Sequence, residues 1–367
     1  MTSAVNRSKR GLSISFLYDL SVALSIIEIK AQQGQRSKDG HVGQGGRERN
    51  PLCIRLNNPS LDFASMIKDQ IERSASMLHE VILVDSLVGT DDASGSAFPA
   101  LVDAVLAYSN RIQSLTIASN VLSTDRRQRK NVWSGATYSF PNLVEFRLSL
   151  PDWPADTNKA LYDMVCTNAP KLVKIDLGSE PTWSAHIFGN IHSPLDRQAT
   201  PWQRLTSFKG PFSDPHFFFT VMARCPQLRE LEVTGSGLNP KINKWSVELV
   251  HRQLQSLVLV LDKKSTGFSV PLDLLNLRGL EKLTIIRTPG AESKVSHIEF
   301  ARSLRGLGDR SGCKLKTFHW SVPLDGNIDP SVYQHPMFHG AKEYRPTTAN
   351  VPATTRAHGR ERALSRL

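Results

Sequence analysis

Cys225-Pro226-Gln227-Leu228-Arg229-Glu230-Leu231-Glu232-Val233 decides how this chain folds, because its pattern returns on both sides of it. An apolar residue is followed by two variable positions, a second apolar residue, one variable position and a third apolar residue. Written as a short strand, Leu231 and Val233 point to one face while Glu230, Glu232 and Thr234 point to the other. One such strand cannot bury its apolar face alone, but a stack of them can.

Units of this kind start at Leu78, Ile112, Leu143, Leu172, Leu205, Leu228, Leu254, Leu280 and Leu315, spaced 23 to 35 residues apart. Eight are complete, from Leu78/Val81/Leu83 to Leu315/Phe318/Trp320. The unit at Leu205 has Phe208 in place but Gly210 at the third apolar position. Upstream, Leu52 to Leu56 alternates like a strand, and 61–77 reads as a helix with Phe63, Ile67 and Ile71 along one side.

Helical periodicity falls between the strands. Residues 98–108 offer Leu101, Val105 and Leu106, and 157–166 offer Leu161, Met164 and Val165. Residues 215–225 offer Phe217, Phe218, Phe219, Val221 and Met222, and 296–307 offer Ile298, Ala301, Leu304 and Leu307. Pro141-Asn142-Leu143, Pro170-Lys171-Leu172 and Pro226-Gln227-Leu228 each step into a strand, and the proline stops any preceding helix. The repeating unit is therefore helix, proline turn, strand, which predicts an α/β solenoid of parallel strands.

The motif resembles leucine-rich repeats, and Ile112-x-x-Leu115-x-Ile117-x-x-Asn120 matches their strand-and-asparagine consensus. The long irregular units with Cys-Pro or Ala-Pro-x-Leu steps look like those of fungal F-box/leucine-rich-repeat proteins, over about residues 51–332. The resemblance implies a horseshoe with strands on the concave face and helices on the convex face. It also implies a substrate receptor whose partner is the adaptor of a cullin ubiquitin ligase. No helix set opened by a Leu-Pro step precedes the repeats in this sequence, so the recognition half is the part implied for 51–332.

On that architecture the outward strand positions form the predicted binding face. They are Ser114, Thr116, Glu145, Arg147, Lys174, Asp176, Ser207, Lys209, Glu230, Glu232, Val258, Val260, Lys282, Thr284, Ile286, Thr317 and His319. Within it, Glu145, Arg147, Lys174, Asp176, Lys209, Glu230, Glu232, Val258, Val260, Ile286 and His319 are the expected protein contacts. Their apolar centre beside charged residues suits protein recognition.

Composition sets the limits. The 367 residues carry a net charge of +11, of which residues 1–50 and 341–367 each supply +4, so the pI of about 9.6 belongs largely to the ends. The expected organisation is a disordered basic segment over 1–50, a repeat domain over 51–332 and a disordered basic tail over 333–367. The apolar run Leu12 to Ile27, after Arg7, Lys9 and Arg10, has the outline of a secretory or organelle-targeting segment, but Asp19 interrupts it, Glu28 closes it, and it is not read as a membrane span. A second functional reading, a nucleic-acid-associated protein, uses those basic ends with Arg126-Arg127-Gln128-Arg129-Lys130. That cluster also reads as a solvated loop, a nuclear-import signal or a contact to an acidic partner. A loop over 179–204 holds Trp183, Phe188, Ile191, His192 and Trp202, and reads either as a binding lip or as a cover for the core.

Cys53, Cys166, Cys225 and Cys313 are too far apart for a disulfide framework or a metal spacing, which points to a reducing compartment, cytoplasmic or nuclear. Cys166 and Cys225 each end a helical run before a proline turn, where a small buried side chain fits. No phosphate loop, nucleophile elbow or His-Glu-x-x-His occurs, and Asp91-Asp92 reads as a turn. His335 and His339 have helical metal spacing, but Pro336 lies between them; His186 and His192 have no evident partner. No enzyme, cofactor, metal or small-molecule substrate is therefore expected.

Overall fold

A computed structural model of the chain describes residues 52–56, 68–69, 71–72, 78–85, 97–119, 137–151, 153, 155–178, 201–212, 215–235, 248–261, 272–287, 296–322 and 330–344. The fold is α/β with open parallel sheets and no closed barrel. The chain forms two compact units. The first runs to Pro211 and includes Arg224–Leu228; the second takes Phe212–Ala223 and the chain from Arg229.

In the first unit, six strands lie side by side in chain order: β1 (Leu52–Leu56), β2 (Leu78–Asp85), β3 (Ile112–Ser119), β4 (Glu145–Ser149), β5 (Lys174–Asp176) and β6 (Ser207–Phe212). Each pairs with the next in parallel. The register explains the repeat. Val81, Leu115, Phe146, Ile175 and Phe208 form one row across the sheet, and Leu83, Ile117 and Leu148 another, all buried. A short parallel strand buried on one face satisfies its backbone only through its neighbours, so identical spacing in each unit is what keeps every hydrogen-bond partner in step.

The first leucine of each unit sits in the turn ahead of its strand. Leu143 and Leu172 donate their N–H to Phe140 and Ala169 across the proline turns, at 3.3 and 3.2 Å, and Leu228 donates to Cys225 at 3.0 Å. The next carbonyl then serves two donors of the following strand. Val144 O accepts from Val173 and Lys174, and Val173 O accepts from Thr206 and Ser207. Turn side chains continue the series, with Asn142 Nδ2 donating to Asn110 O and Lys171 Nζ donating to Asn142 Oδ1, both at 2.9 Å.

Gly210, the apparent defect, has a steric cause. A Cβ there would stand 3.1 Å from Cζ and 3.2 Å from Cε1 of Phe208, so the missing side chain makes room for that ring.

The second unit has a five-stranded parallel sheet ordered β7 (Glu230–Gly235), β9 (Ser256–Leu261), β11 (Lys282–Arg287), β12 (Thr317–Ser321) and β13 (Lys342–Tyr344). Leu231, Leu257, Leu283 and Phe318 make one buried row; Val233, Leu259, Ile285 and the half-buried Trp320 make the next. The same double acceptance recurs at Arg229 O, Gln255 O and Glu281 O. A second, two-stranded parallel ladder joins β8 (Leu249–Val250) to β10 (Leu275–Asn276).

Four helices accompany the strands among the described residues. In the first unit, α1 (Ala97–Leu106) buries Phe98, Leu101, Val102, Val105 and Leu106, and α2 (Ala155–Asn168) buries Leu161, Met164 and Val165. In α3 (Pro215–Arg224), Phe218, Phe219, Val221 and Met222 are buried. In α4 (His297–Ser311) the phase differs from the expected one. Phe300, Ser303, Leu304, Leu307, Gly308 and Ser311 face inward, whereas Ile298 is 68% exposed and Ala301 half-buried. The i, i+3, i+4, i+7 stripe follows Phe300, whose ring packs 5.9 Å from that of Trp320.

The second unit continues past Val332. Short 3₁₀ turns at Pro330–Gln334 and Pro336–Phe338 lead into β13, and Phe338 packs on Phe318 at 5.0 Å. The His335 ring occupies the notch left by Gly308, where a Cβ would stand 2.4 Å from its Cε1. No helix among the described residues is long and apolar enough to cross a membrane.

Candidate protein-recognition face

Because one face of each strand is committed to the core, the alternate positions emerge on the other, and parallel register lines them up. In the first unit, Ser114, Glu145, Lys174 and Ser207 form one row, and Thr116, Arg147, Asp176 and Lys209 the next. Glu145, Arg147 and Lys174 are exposed, while Asp176 and Lys209 are half-buried. The charges alternate in both directions and pair across strands. Arg147 donates from Nε at 2.7 Å and Nη2 at 2.6 Å to Asp176 Oδ2, whose other oxygen accepts the Gly178 N–H at 2.9 Å. Lys174 Nζ stands 3.9 Å from Glu145 Oε2. Exposed pairs of this kind contribute about 0.2–1 kcal/mol each, enough to order the side chains without adding much stability. Gly178 turns the chain out of β5 at φ +69°, and a Cβ there would press on Ser149 Oγ at 3.0 Å.

The second unit presents a different surface. Its rows are Glu230, Ser256, Lys282, Thr317 and Lys342; Glu232, Val258, Thr284 and His319; and Thr234, Val260, Ile286 and Ser321. Glu230, Lys282, Thr317 and Lys342 are exposed, and Glu232, Val258, Val260, Ile286 and His319 are half-buried. Val260 and Ile286 face each other across β9 and β11, with Val258 two residues before Val260 on the same strand. All eleven residues expected as protein contacts therefore lie at outward register positions, five on the first unit and six on the second.

Sequence reasoning missed Lys342, because Lys342-Glu343-Tyr344 has no alternation to mark it as a strand. Arg126 to Lys130, Trp183, Phe188, Ile191, His186, His192, Asp91-Asp92, Asn120 and residues 1–50 lie outside the described residues. Trp202 is half-buried and packs against Phe208 at 6.2 Å, on the core side of β6.

Away from the sheet faces, Cys166, Cys225 and Cys313 are buried thiols outside any disulfide, as read for the first two. Burial pushes the thiols of Cys166 and Cys225 up to about 12 and that of Cys313 up to about 11, which keeps all three protonated and weakly nucleophilic. Both ring nitrogens of His335 are engaged: Met337 N–H donates to Nδ1 at 3.1 Å, leaving Nε2 to meet Asp309 Oδ1 at 3.0 Å. His339 Nε2 lies 3.0 Å from Gln334 O. Among the described residues no three His, Cys, Asp or Glu side chains come together as metal ligands. Compared with known proteins, the chain matches no family model and no curated protein.

Proposed function

We propose that the chain is a non-enzymatic protein-recognition scaffold, a leucine-rich-repeat solenoid whose strands line a concave face and whose helices lie on the convex side. The partner binds the outward strand positions, and the scaffold serves as an F-box-like substrate receptor of a cullin ubiquitin ligase in the cytoplasm or nucleus. The observation that carries this reading is the register. In each unit, consecutive parallel strands hold variable side chains in register on one face, while the recurring apolar positions of the repeat are spent on the opposite, buried face. Such a face can change its chemistry residue by residue without disturbing the core, which is what partner recognition on a repeat array requires.

The test is affinity purification of the tagged full chain followed by mass spectrometry. The reading predicts a specific substrate partner together with the cullin adaptor. A specific partner recovered without the adaptor contradicts the ligase assignment alone; recovery of neither contradicts both.

A further inference from the structure

The outward faces of the two units differ in how their charges are satisfied. On the first, the Arg147–Asp176 and Glu145–Lys174 pairs neutralise one another. On the second, Glu230 and Lys282 are exposed, and neither makes an ion pair among the described residues. Charge is also sorted by strand. β7 presents Glu230 and Glu232, β9 and β11 present Val258, Val260 and Ile286, and Lys282 and Lys342 stand in the same row toward β13. With strands ~4.8 Å apart, the row from Glu230 to Lys342 crosses four intervals, ~19 Å, which is the length of about six extended residues.

We infer that the outward face of the second unit takes a segment of a partner protein laid across the strands, with basic side chains over β7, apolar ones on Val258, Val260 and Ile286, and acidic ones over Lys282 and Lys342. The inference rests on the recognition reading and adds the partner's chemistry to it. The β-branched centre supplies contact area that water leaves readily, and the unequal ends select the partner, because a like charge set over either end is repelled without compensation.

The probe is a fluorescein-labelled peptide of about twelve residues with a lysine block, a leucine-valine centre and an aspartate block, measured by fluorescence anisotropy against the full chain. Its counterparts carry lysine at both ends or aspartate at both ends. The mixed peptide is expected to bind at least about ten-fold tighter than either counterpart. Ile286→Asp should weaken it about ten-fold or more. Glu230→Lys with Glu232→Lys should make the doubly acidic peptide the better ligand. Should Ile286→Asp fail to fold, Val258→Thr with Val260→Thr and Ile286→Thr removes the apolar contact while keeping branched side chains suited to strands. Equal binding of the three peptides, or no binding by any, overturns the inference. If binding is lost on Arg147→Glu with Lys174→Glu but survives every change on the second unit, this inference fails while recognition by a sheet face stands. If no change on either face alters binding, both fail.

Discussion

At Gly210 the repeat loses its third apolar side chain because the neighbouring Phe208 already fills that space. Gly210→Val should therefore lower stability by about 1–3 kcal/mol, the usual cost of overfilling a packed site. Pairing it with Phe208→Leu should recover part of the loss, read as a coupling energy in denaturant unfolding. The buried thiols give a second residue-scale expectation. Cys166 and Cys225 hold their protons up to about 12 against an ordinary 9, so the unfolded chain releases them at lower pH than the folded one. Their contribution to stability is complete below the ordinary value and is lost as the pH climbs toward the raised one. Thermal unfolding should shift to lower temperature between about pH 9 and pH 12, and less so in Cys166→Ala with Cys225→Ala. Their small buried character was readable from position, since each falls near the end of a helix, just ahead of a proline turn. The reason for Gly210 was not, because a sequence pattern scores a glycine as a gap and carries no information on where a neighbouring ring lies.

Among the elements, the strands were the most legible. Leu-x-x-Leu-x-Leu fixes both the strand and its face, and the proline steps fix its start. Less was legible where a neighbour supplies the reason for an element. β8 and β10 are two residues each and owe their ladder to Arg310 and Ser311 of α4 as much as to their own sequence. Arg310 donates to Leu275 O at 3.2 Å and Leu272 O at 2.6 Å, and Ser311 Oγ accepts from Leu277 N–H at 2.8 Å. The same pressures misplace α4 in a periodicity reading. Its buried stripe includes Ser303, Gly308 and Ser311, so an apolar count prefers Ile298 instead. The helical periodicity is read only to 307, yet the helix continues to Ser311 and stops at Gly312, whose φ of 58° is the left-handed turn that glycine accepts. At its start Ser296 accepts the Glu299 N–H. Ser296→Ala should cost about 1 kcal/mol in chemical denaturation. Gly308→Ala should cost more, about 1–3 kcal/mol, because its Cβ would displace the His335 ring; His335→Ala should relieve much of that penalty in the double variant.

For the molecule as a whole, the parallel α/β architecture follows from the repeat, whereas the division into two units does not show in the sequence. The motif runs through both without a change of grammar. The candidate face was legible as a list of outward positions, and its residues do lie in rows. What the list did not contain was the pairing. Whether Arg147 is available to a partner depends on Asp176 one strand away and 29 residues along the chain, a relation only the register reveals. If those rows are what a partner protein touches, reversing their charges must release it. The most direct measurement is affinity capture from cells with the full chain and with Arg147→Glu, Lys174→Glu and Glu230→Lys combined, both shown to be folded by circular dichroism. The account predicts that specific partners of the unaltered chain are lost from the altered one. Retention of every one of them at unchanged recovery would contradict it.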